Sequence, residues 1–102
     1  MALPDVSNRP PGPPEKMFRR SPEVTETRVT DRVILYHASD GGAFVLNPTA
    51  SILWDALATP CTMSRLVDEL HGRFPGLTPD RAEADITSCM LDLQRLRVIE
   101  VD

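Results

Sequence analysis

Residues 41–54 read Gly-Gly-Ala-Phe-Val-Leu-Asn-Pro-Thr-Ala-Ser-Ile-Leu-Trp, so that a turn, a short strand and the start of a helix follow one another without a spacer. Asp40 and the two glycines favour a turn, because glycine adopts positive φ without steric cost. The next four residues, Ala43–Leu46, are uniformly apolar and too few for an amphipathic helix, so they predict a strand. Asn47 can cap a following helix through its side-chain oxygen, and Pro48 suits the first helical position.

Two further strands are predicted immediately before this stretch. Glu23–Thr30 is rich in β-branched residues, and Arg32–His37 contains a run of four apolar residues that indicates cover on both faces or a central place in a sheet. The short connections predict a meander with Ala43–Leu46 at its edge. This strand has no lysine, proline or charge to protect it, so it is open to a partner strand. The alternative interpretation is that Phe44 and Val45 are simply core.

Three helices are predicted after the edge strand. They run from about Pro48 to Leu57, from the cap Thr62 to about Phe74, and from the cap Thr78 to the last turn with Arg95 and Arg97, before a short closing strand, Val98–Val101. Trp54 shares an apolar stripe with its neighbours and is predicted to be a core residue. The predicted stripe of the third helix consists of Ala82, Ile86, Cys89, Leu93 and Leu96. The fold class is therefore α+β, a winged helix-turn-helix with a three-stranded antiparallel sheet followed by three helices.

The length of 102 residues allows one domain, and six of the ten prolines fall within the first 22 residues. Because Met1–Ser21 shows no apolar period, residues 1–22 are predicted to be a disordered or polyproline-II tail and residues 23–102 the folded domain. A proline-binding partner of the tail is a weaker alternative to a solvated tail. The sequence contains no signal-peptide pattern and no apolar stretch that could span a membrane, which predicts a cytoplasmic protein without membrane partners.

The charges and the reactive side chains argue against nucleic acid and against catalysis. Residues 31–102 carry 6 basic and 11 acidic side chains, whereas a DNA-binding domain needs a basic face. His37 and His71 lack neighbours at metal-ligand spacing and are interpreted as surface residues. Cys61 and Cys89 are interpreted as buried thiols, and no glycine-rich phosphate loop is present. The sequence therefore predicts a binding module that is not an enzyme and that has no cofactor, no metal and no nucleic-acid partner.

Residues 32–99 resemble the PqqD-like family, the recognition elements for precursors of ribosomally synthesised, post-translationally modified peptides (RiPPs). The resemblance rests on the order and spacing of several short motifs: Phe44-Val45-Leu46-Asn47, Ala50-Ser51-Ile52-Leu53-Trp54, Thr62, Leu66, Val67, Leu70, Phe74, Ala84-Asp85-Ile86, Leu93 and Val98-Ile99. Two positions depart from the family pattern. Arg97 stands where a helix-capping glycine is common, and Cys89-Met90 stands where aromatic residues or leucine are common.

The resemblance implies a function as well as a winged-helix fold. Such proteins bind the leader region of a precursor peptide as a strand added beside the third strand and against the third helix. They then present it to a maturation enzyme such as a radical SAM enzyme, a leader peptidase or a cyclase. The stretch after the edge strand also resembles the discrete recognition proteins of lasso peptide pathways.

The resemblance also implies a peptide-binding site on the edge strand and on the third helix. It comprises Gly42, Ala43, Phe44, Val45, Leu46, Arg81, Asp85, Ser88, Cys89 and Asp92. The alternative function is a winged-helix DNA-binding or transcription regulatory domain, which the acidic third helix disfavours.

Overall fold

The computed structural model describes residues 16–39 and 41–102. Its elements are β1 (Met17–Arg20), β2 (Val24–Val29), β3 (Arg32–His37), β4 (Ala43–Val45), α1 (Pro48–Ala56), β5 (Cys61–Thr62), α2 (Met63–Arg73), α3 (Pro79–Arg95) and β6 (Ile99–Val101). The α+β class, with a three-stranded antiparallel sheet before three helices, is confirmed. No helix within the described ranges is both long and apolar enough to cross a membrane.

The predicted meander is confirmed. Its strands lie in the order β2-β3-β4 with antiparallel pairing throughout, so β3 is central and β4 lies at an edge. Leu35 of β3 pairs with Phe44 of β4 on the face that packs against the core. Val33 and Leu35 are buried, whereas Tyr36 on the opposite face is 41% exposed. The apolar run in β3 therefore reflects its central place and not cover on both faces.

A second sheet, in the order β5-β1-β6, was not predicted. Its central strand β1 pairs Phe18 with Cys61 on one side and with Val101 on the other, and Phe18 is buried. The domain boundary after residue 22 is thus wrong, because Met17–Arg20 belongs to the folded domain. Prolines dominate the composition around this four-residue strand, and its partners lie more than forty residues away, so no local pattern marks it. The predicted disorder of Met1–Glu15 concerns residues outside the described range and stays a prediction.

The predicted helix starts are confirmed by their caps. The side chains of Asn47, Thr62 and Thr78 each accept a hydrogen bond from the backbone N–H three residues further on, at 2.8 to 3.3 Å. Ala82, Ile86 and Leu93 of the predicted apolar stripe of α3 are buried, and Cys89 and Leu96 are partly buried against the same core. Met90 is buried in the core, whereas Cys89 is only half-buried and faces the side of the helix next to β4.

Trp54 of α1 is a core residue, as predicted, with 1% of its surface exposed. Its indole Nε1–H donates to Glu26 Oε1 at 3.2 Å, so the polar atom of the ring is satisfied. The Arg20 guanidinium lies 4.4 Å from the ring centroid, donates to the Trp54 carbonyl oxygen at 2.6 Å and pairs with Glu26 at 3.0 Å. Since Arg20 belongs to β1 and Glu26 to β2, this cluster joins both sheets to α1.

Helix α3 ends in a Schellman motif with arginine at the position that usually holds glycine. Arg97 has φ 61°, in the left-handed region. The Val98 N–H donates to the Leu93 carbonyl at 3.1 Å, and the Arg97 N–H donates to the Gln94 carbonyl at 2.9 Å. The cap is therefore built as it would be with glycine, but with a side chain in a conformation that costs about 1 kcal/mol or more.

One of the two histidines differs from expectation, whereas Cys61 agrees with it. His37 is buried with 3% exposure, and its Nδ1 accepts a hydrogen bond from the Ser39 N–H at 3.2 Å, so its interpretation as a surface residue is wrong. His71 is exposed, as predicted. Cys61 is buried and unpaired, and burial raises the pKa of its thiol. The position of His37 on the core face of β3, opposite Val24, explains its burial.

Candidate functional site

The β4 edge of the meander is unpaired in the part of the chain that the structure describes. Two backbone hydrogen bonds determine which groups face this edge: Leu46 N–H donates to Val33 O at 2.9 Å, and His37 N–H donates to Gly42 O at 3.2 Å. Alternate residues of an antiparallel strand direct their N–H and C=O groups to opposite sides. The backbone groups of Gly42 and Leu46 point towards β3. The backbone N–H and C=O groups of Ala43 and Val45 therefore point to the open side of β4.

The opposite edge of the same sheet is protected. Strand β2 carries Glu26 and Arg28, and Arg28 forms ion pairs with both Glu26 and Asp55 of α1. Charged side chains on an edge strand discourage further strand pairing. Strand β4 carries no charge, and Val45 is 57% exposed. The sheet therefore offers one side for an added strand.

A groove of about 340 Å³ lies between this edge, the start of α1 and the outer face of α3. Its lining consists of Val45, Leu46, Asn47, Thr49, Ala50, Asp85, Ser88, Cys89, Asp92, Leu93 and Leu96. Leu46, Ala50 and Leu93 are buried and form an apolar floor. A second depression of about 460 Å³ lies on the other side of the end of β4, next to the β2–β3 turn, and shares Val45 and Leu46 with the groove.

The structure brings six of the ten predicted site residues together in the groove: Val45, Leu46, Asp85, Ser88, Cys89 and Asp92. The other four lie outside its lining. Ala43 is exposed on the edge itself, and Phe44 points to the core side, opposite Leu35. The Phe44 ring covers Gly42, where an added Cβ would stand 3.2 Å from it. Arg81 is exposed and lies 3.9 Å from the Asp85 carboxylate.

The wall formed by α1 was missed. Asn47, Thr49 and Ala50 line the groove because α1 begins directly after β4, so the start of the helix stands beside the end of the strand. The absence of a spacer in the sequence was a usable signal for this wall. Leu93 and Leu96 were assigned to the core stripe of α3, and the structure shows that they border the groove as well.

The groove is acidic in charge. Burial, and then the nearby Asp92 carboxylate, raise the pKa of the Cys89 thiol to about 11, so this thiol is protonated and neutral at physiological pH. Asp85 and Asp92 are the charged residues among the described side chains that line the groove. No group of three or more His, Cys, Asp or Glu side chains within the described ranges could hold a metal ion. The arrangement is suited to binding an extended chain.

The fold and the groove define a small winged-helix-like domain with an open strand edge beside a helix. A family model described as coenzyme PQQ synthesis protein D (PqqD) matches residues 32–99, and the chain belongs to this family. A solved structure described as "TbiB1 in Complex with the TbiA(beta) Leader Peptide" is similar in fold, with a TM-score of 0.75 and 22% sequence identity. The similarity covers 80% of this chain and 94% of that chain. No curated protein matches the chain significantly.

Proposed function

We propose that this protein binds the leader region of a ribosomally synthesised precursor peptide by strand addition to β4 and presents it to a maturation enzyme. The observation that carries the proposal is the open edge at Ala43 and Val45 directly beside the groove. Membership of the PqqD family and the similarity to a protein solved with a leader peptide support it. The resemblance of the stretch after β4 to the discrete recognition proteins of lasso peptide pathways favours such a pathway.

The energetics of the edge explain why the groove is needed. Ala43 and Val45 together offer two N–H and two C=O groups to a bound strand. At about 1 kcal/mol net for each hydrogen bond, a fully paired edge gives about 4 kcal/mol, which corresponds to a Kd of about 1 mM. Micromolar binding requires about 8 kcal/mol, so burial of peptide side chains in the groove must supply the remainder.

The same features favour a role in binding over a role in catalysis. The thiols of Cys61 and Cys89 have raised pKa values, which makes both poor nucleophiles. The modifying chemistry would then belong to a partner such as a radical SAM enzyme, a leader peptidase or a cyclase. Two unpaired cysteines fit a reducing compartment, which supports action in the cytoplasm.

The DNA-binding alternative finds no support in the charges of the fold. Residues 16–102 carry 10 basic and 13 acidic side chains, and the acidic residues of α3 include both carboxylates of the groove. Phosphate would be repelled from the helix that a winged-helix protein places in a DNA groove. Duplex DNA therefore serves as a negative control in the test of peptide binding.

The test is a calorimetric titration of the full chain with the leader peptides of short precursor genes next to its own gene. Val45→Pro removes one N–H that faces the open edge, whereas Val45→Ala keeps this N–H and removes only side-chain area. We expect Val45→Pro to weaken binding at least tenfold and Val45→Ala less than threefold. Circular dichroism checks that both variants are folded.

Two results would reject the proposal. One is that no leader peptide binds while duplex DNA binds more tightly than about 1 μM with a steep dependence on salt. The other is that folded Val45→Pro binds a leader as tightly as the unmodified chain, which would place the peptide elsewhere. Protection of Cys89 from alkylation by bound peptide, with buried Cys61 as the internal reference, gives an independent readout of the groove.

A further inference from the structure

We propose that the groove selects leader peptides with a lysine or arginine two positions from an apolar residue on the same face of the added strand. The inference rests on the proposed function and specifies the chemistry of its ligand. Asp85 and Asp92 supply the charge of the groove, and Leu93, Leu96 and half-buried Cys89 supply its apolar surface.

The two carboxylates are placed to act together on one ligand. They are seven residues apart on α3, which is about two turns or about 10.5 Å along the helix axis, and Cys89 lies between them on the same face. Side chains on one face of a strand repeat every two residues, about 7 Å. For an added strand that runs along α3, a peptide residue over Cys89 has neighbours two positions away whose long basic side chains would reach Asp85 or Asp92.

The carboxylates are only weakly compensated by the protein itself. Arg81 Nε lies 3.9 Å from Asp85 Oδ1, and Arg95 Nη1 lies 3.8 Å from Asp92 Oδ1. Both distances are near the outer limit of an ion pair. Both arginine side chains are more than 70% exposed, so a peptide cation can displace them at little cost. The protonated thiol of Cys89 adds no charge of its own. The groove thus presents weakly compensated negative charge around an apolar centre.

The test is selection from a displayed library of random 12-residue peptides on the immobilised full chain. Selected peptides are expected to be enriched in lysine or arginine two positions from an apolar residue. The double variant Asp85→Asn, Asp92→Asn should lose this enrichment. A second selection on Val45→Pro identifies peptides that depend on the edge.

A selected peptide is then synthesised and titrated. Replacing its basic residue by glutamine should weaken binding about fivefold, and replacing it by glutamate should weaken binding further. Asp92→Lys or Asp85→Lys should restore binding of the glutamate peptide. The matched control is Glu83→Lys, the same charge change on α3 outside the groove, and it should alter affinity less than twofold.

Each outcome bears on one of the two proposals. Edge-dependent peptides without enrichment in basic residues, or an equal effect of Glu83→Lys and Asp92→Lys, would overturn the inference while leaving peptide binding intact. A selection that yields no peptide sensitive to Val45→Pro would overturn the proposed function itself.

Discussion

The two sheets of this domain are built in opposite ways. The sheet β5-β1-β6 joins three strands of two to four residues that are distant in sequence, and its central strand is paired on both sides. The sheet β2-β3-β4 is a local meander whose last strand is left open. The first sheet pairs the N-terminal strand β1 with the C-terminal strand β6, and the second sheet leaves the edge of β4 unpaired. Changes in the first should therefore alter stability, and changes at the edge of the second should alter peptide binding.

The largest expected effect is the loss of the first sheet. Deletion of residues 1–21 removes β1 and buried Phe18, and loss of a buried phenylalanine alone costs about 3–5 kcal/mol, so we expect the domain to unfold. Deletion of residues 1–15 is the matched control and should leave the melting temperature nearly unchanged. A drop above about 5 °C in that control, near 1 kcal/mol, would show that Met1–Glu15 contributes to the fold.

The residue that joins the two sheets should come next. Trp54→Ala removes a buried indole together with its contacts to Arg20 and Glu26, and should reduce the free energy of unfolding by about 3–5 kcal/mol in chemical denaturation. Trp54→Phe keeps most of the ring and should cost clearly less. A folded Trp54→Ala domain of normal stability that merely loses peptide affinity would mean that Trp54 is a ligand contact and not a core anchor.

Proline substitution along β4 tests the alternation of its backbone groups. Phe44→Pro removes an N–H that faces β3 and should cost about 3 kcal/mol of stability. Val45→Pro removes an N–H that faces the open edge and should cost less than about 1 kcal/mol. Denaturant titrations of both variants measure the difference. Equal losses would show that Val45 is already paired within the domain and that the edge is not open.

A smaller effect follows from the thiol in the groove. The pKa of Cys89 is raised to about 11 from an ordinary value of 9.0, so the folded state holds this proton more tightly than the unfolded state does. The contribution of the protonated thiol to the free energy of unfolding is fully present below pH 9. It is lost as the pH rises through about 11. Between pH 8 and 11 the unmodified chain should lose about 1 kcal/mol more stability than Cys89→Ser, allowing for solvent screening of a half-exposed group. Parallel losses in both proteins would contradict the raised pKa.

The smallest effect is expected at the helix end that leads into β6. Arg97→Gly relieves a positive φ and should raise the free energy of unfolding by up to about 1 kcal/mol, because the strain relieved exceeds the added entropy of the unfolded chain. Arg97→Ala keeps the Cβ and should give no gain, which separates backbone strain from the loss of charge. Thermal denaturation of the two variants measures the difference.

The sequence predicted those parts of the fold whose signals are local. The turn, β4, the Asn47 cap and α1 follow within sixteen residues, and each has its own residue chemistry. Strands β1 and β5 could not be predicted from the sequence because they have only four and two residues and pair with partners distant in sequence. His37 was misjudged because its burial depends on the core that packs against β3 and not on its place at a strand end.

The candidate site was predictable to a similar degree. The family resemblance selected the face of α3 that carries Asp85 and Asp92. Phe44 could not be separated from Val45 until the register with β3 fixed which of them faces the core. The wall of the groove from α1 follows from the absence of a spacer between β4 and α1, a signal in the sequence that the predicted site did not use.

The shortness of β4 has a kinetic consequence. An edge that offers backbone groups from only two residues binds a ligand through few hydrogen bonds. The dissociation rate constant of a bound leader peptide should therefore be high. For a Kd of about 1 μM and an association rate constant of about 10⁶ M⁻¹s⁻¹, the residence time is about 1 s. On the proposed function, such a lifetime would allow one copy of this protein to present many leader peptides in succession.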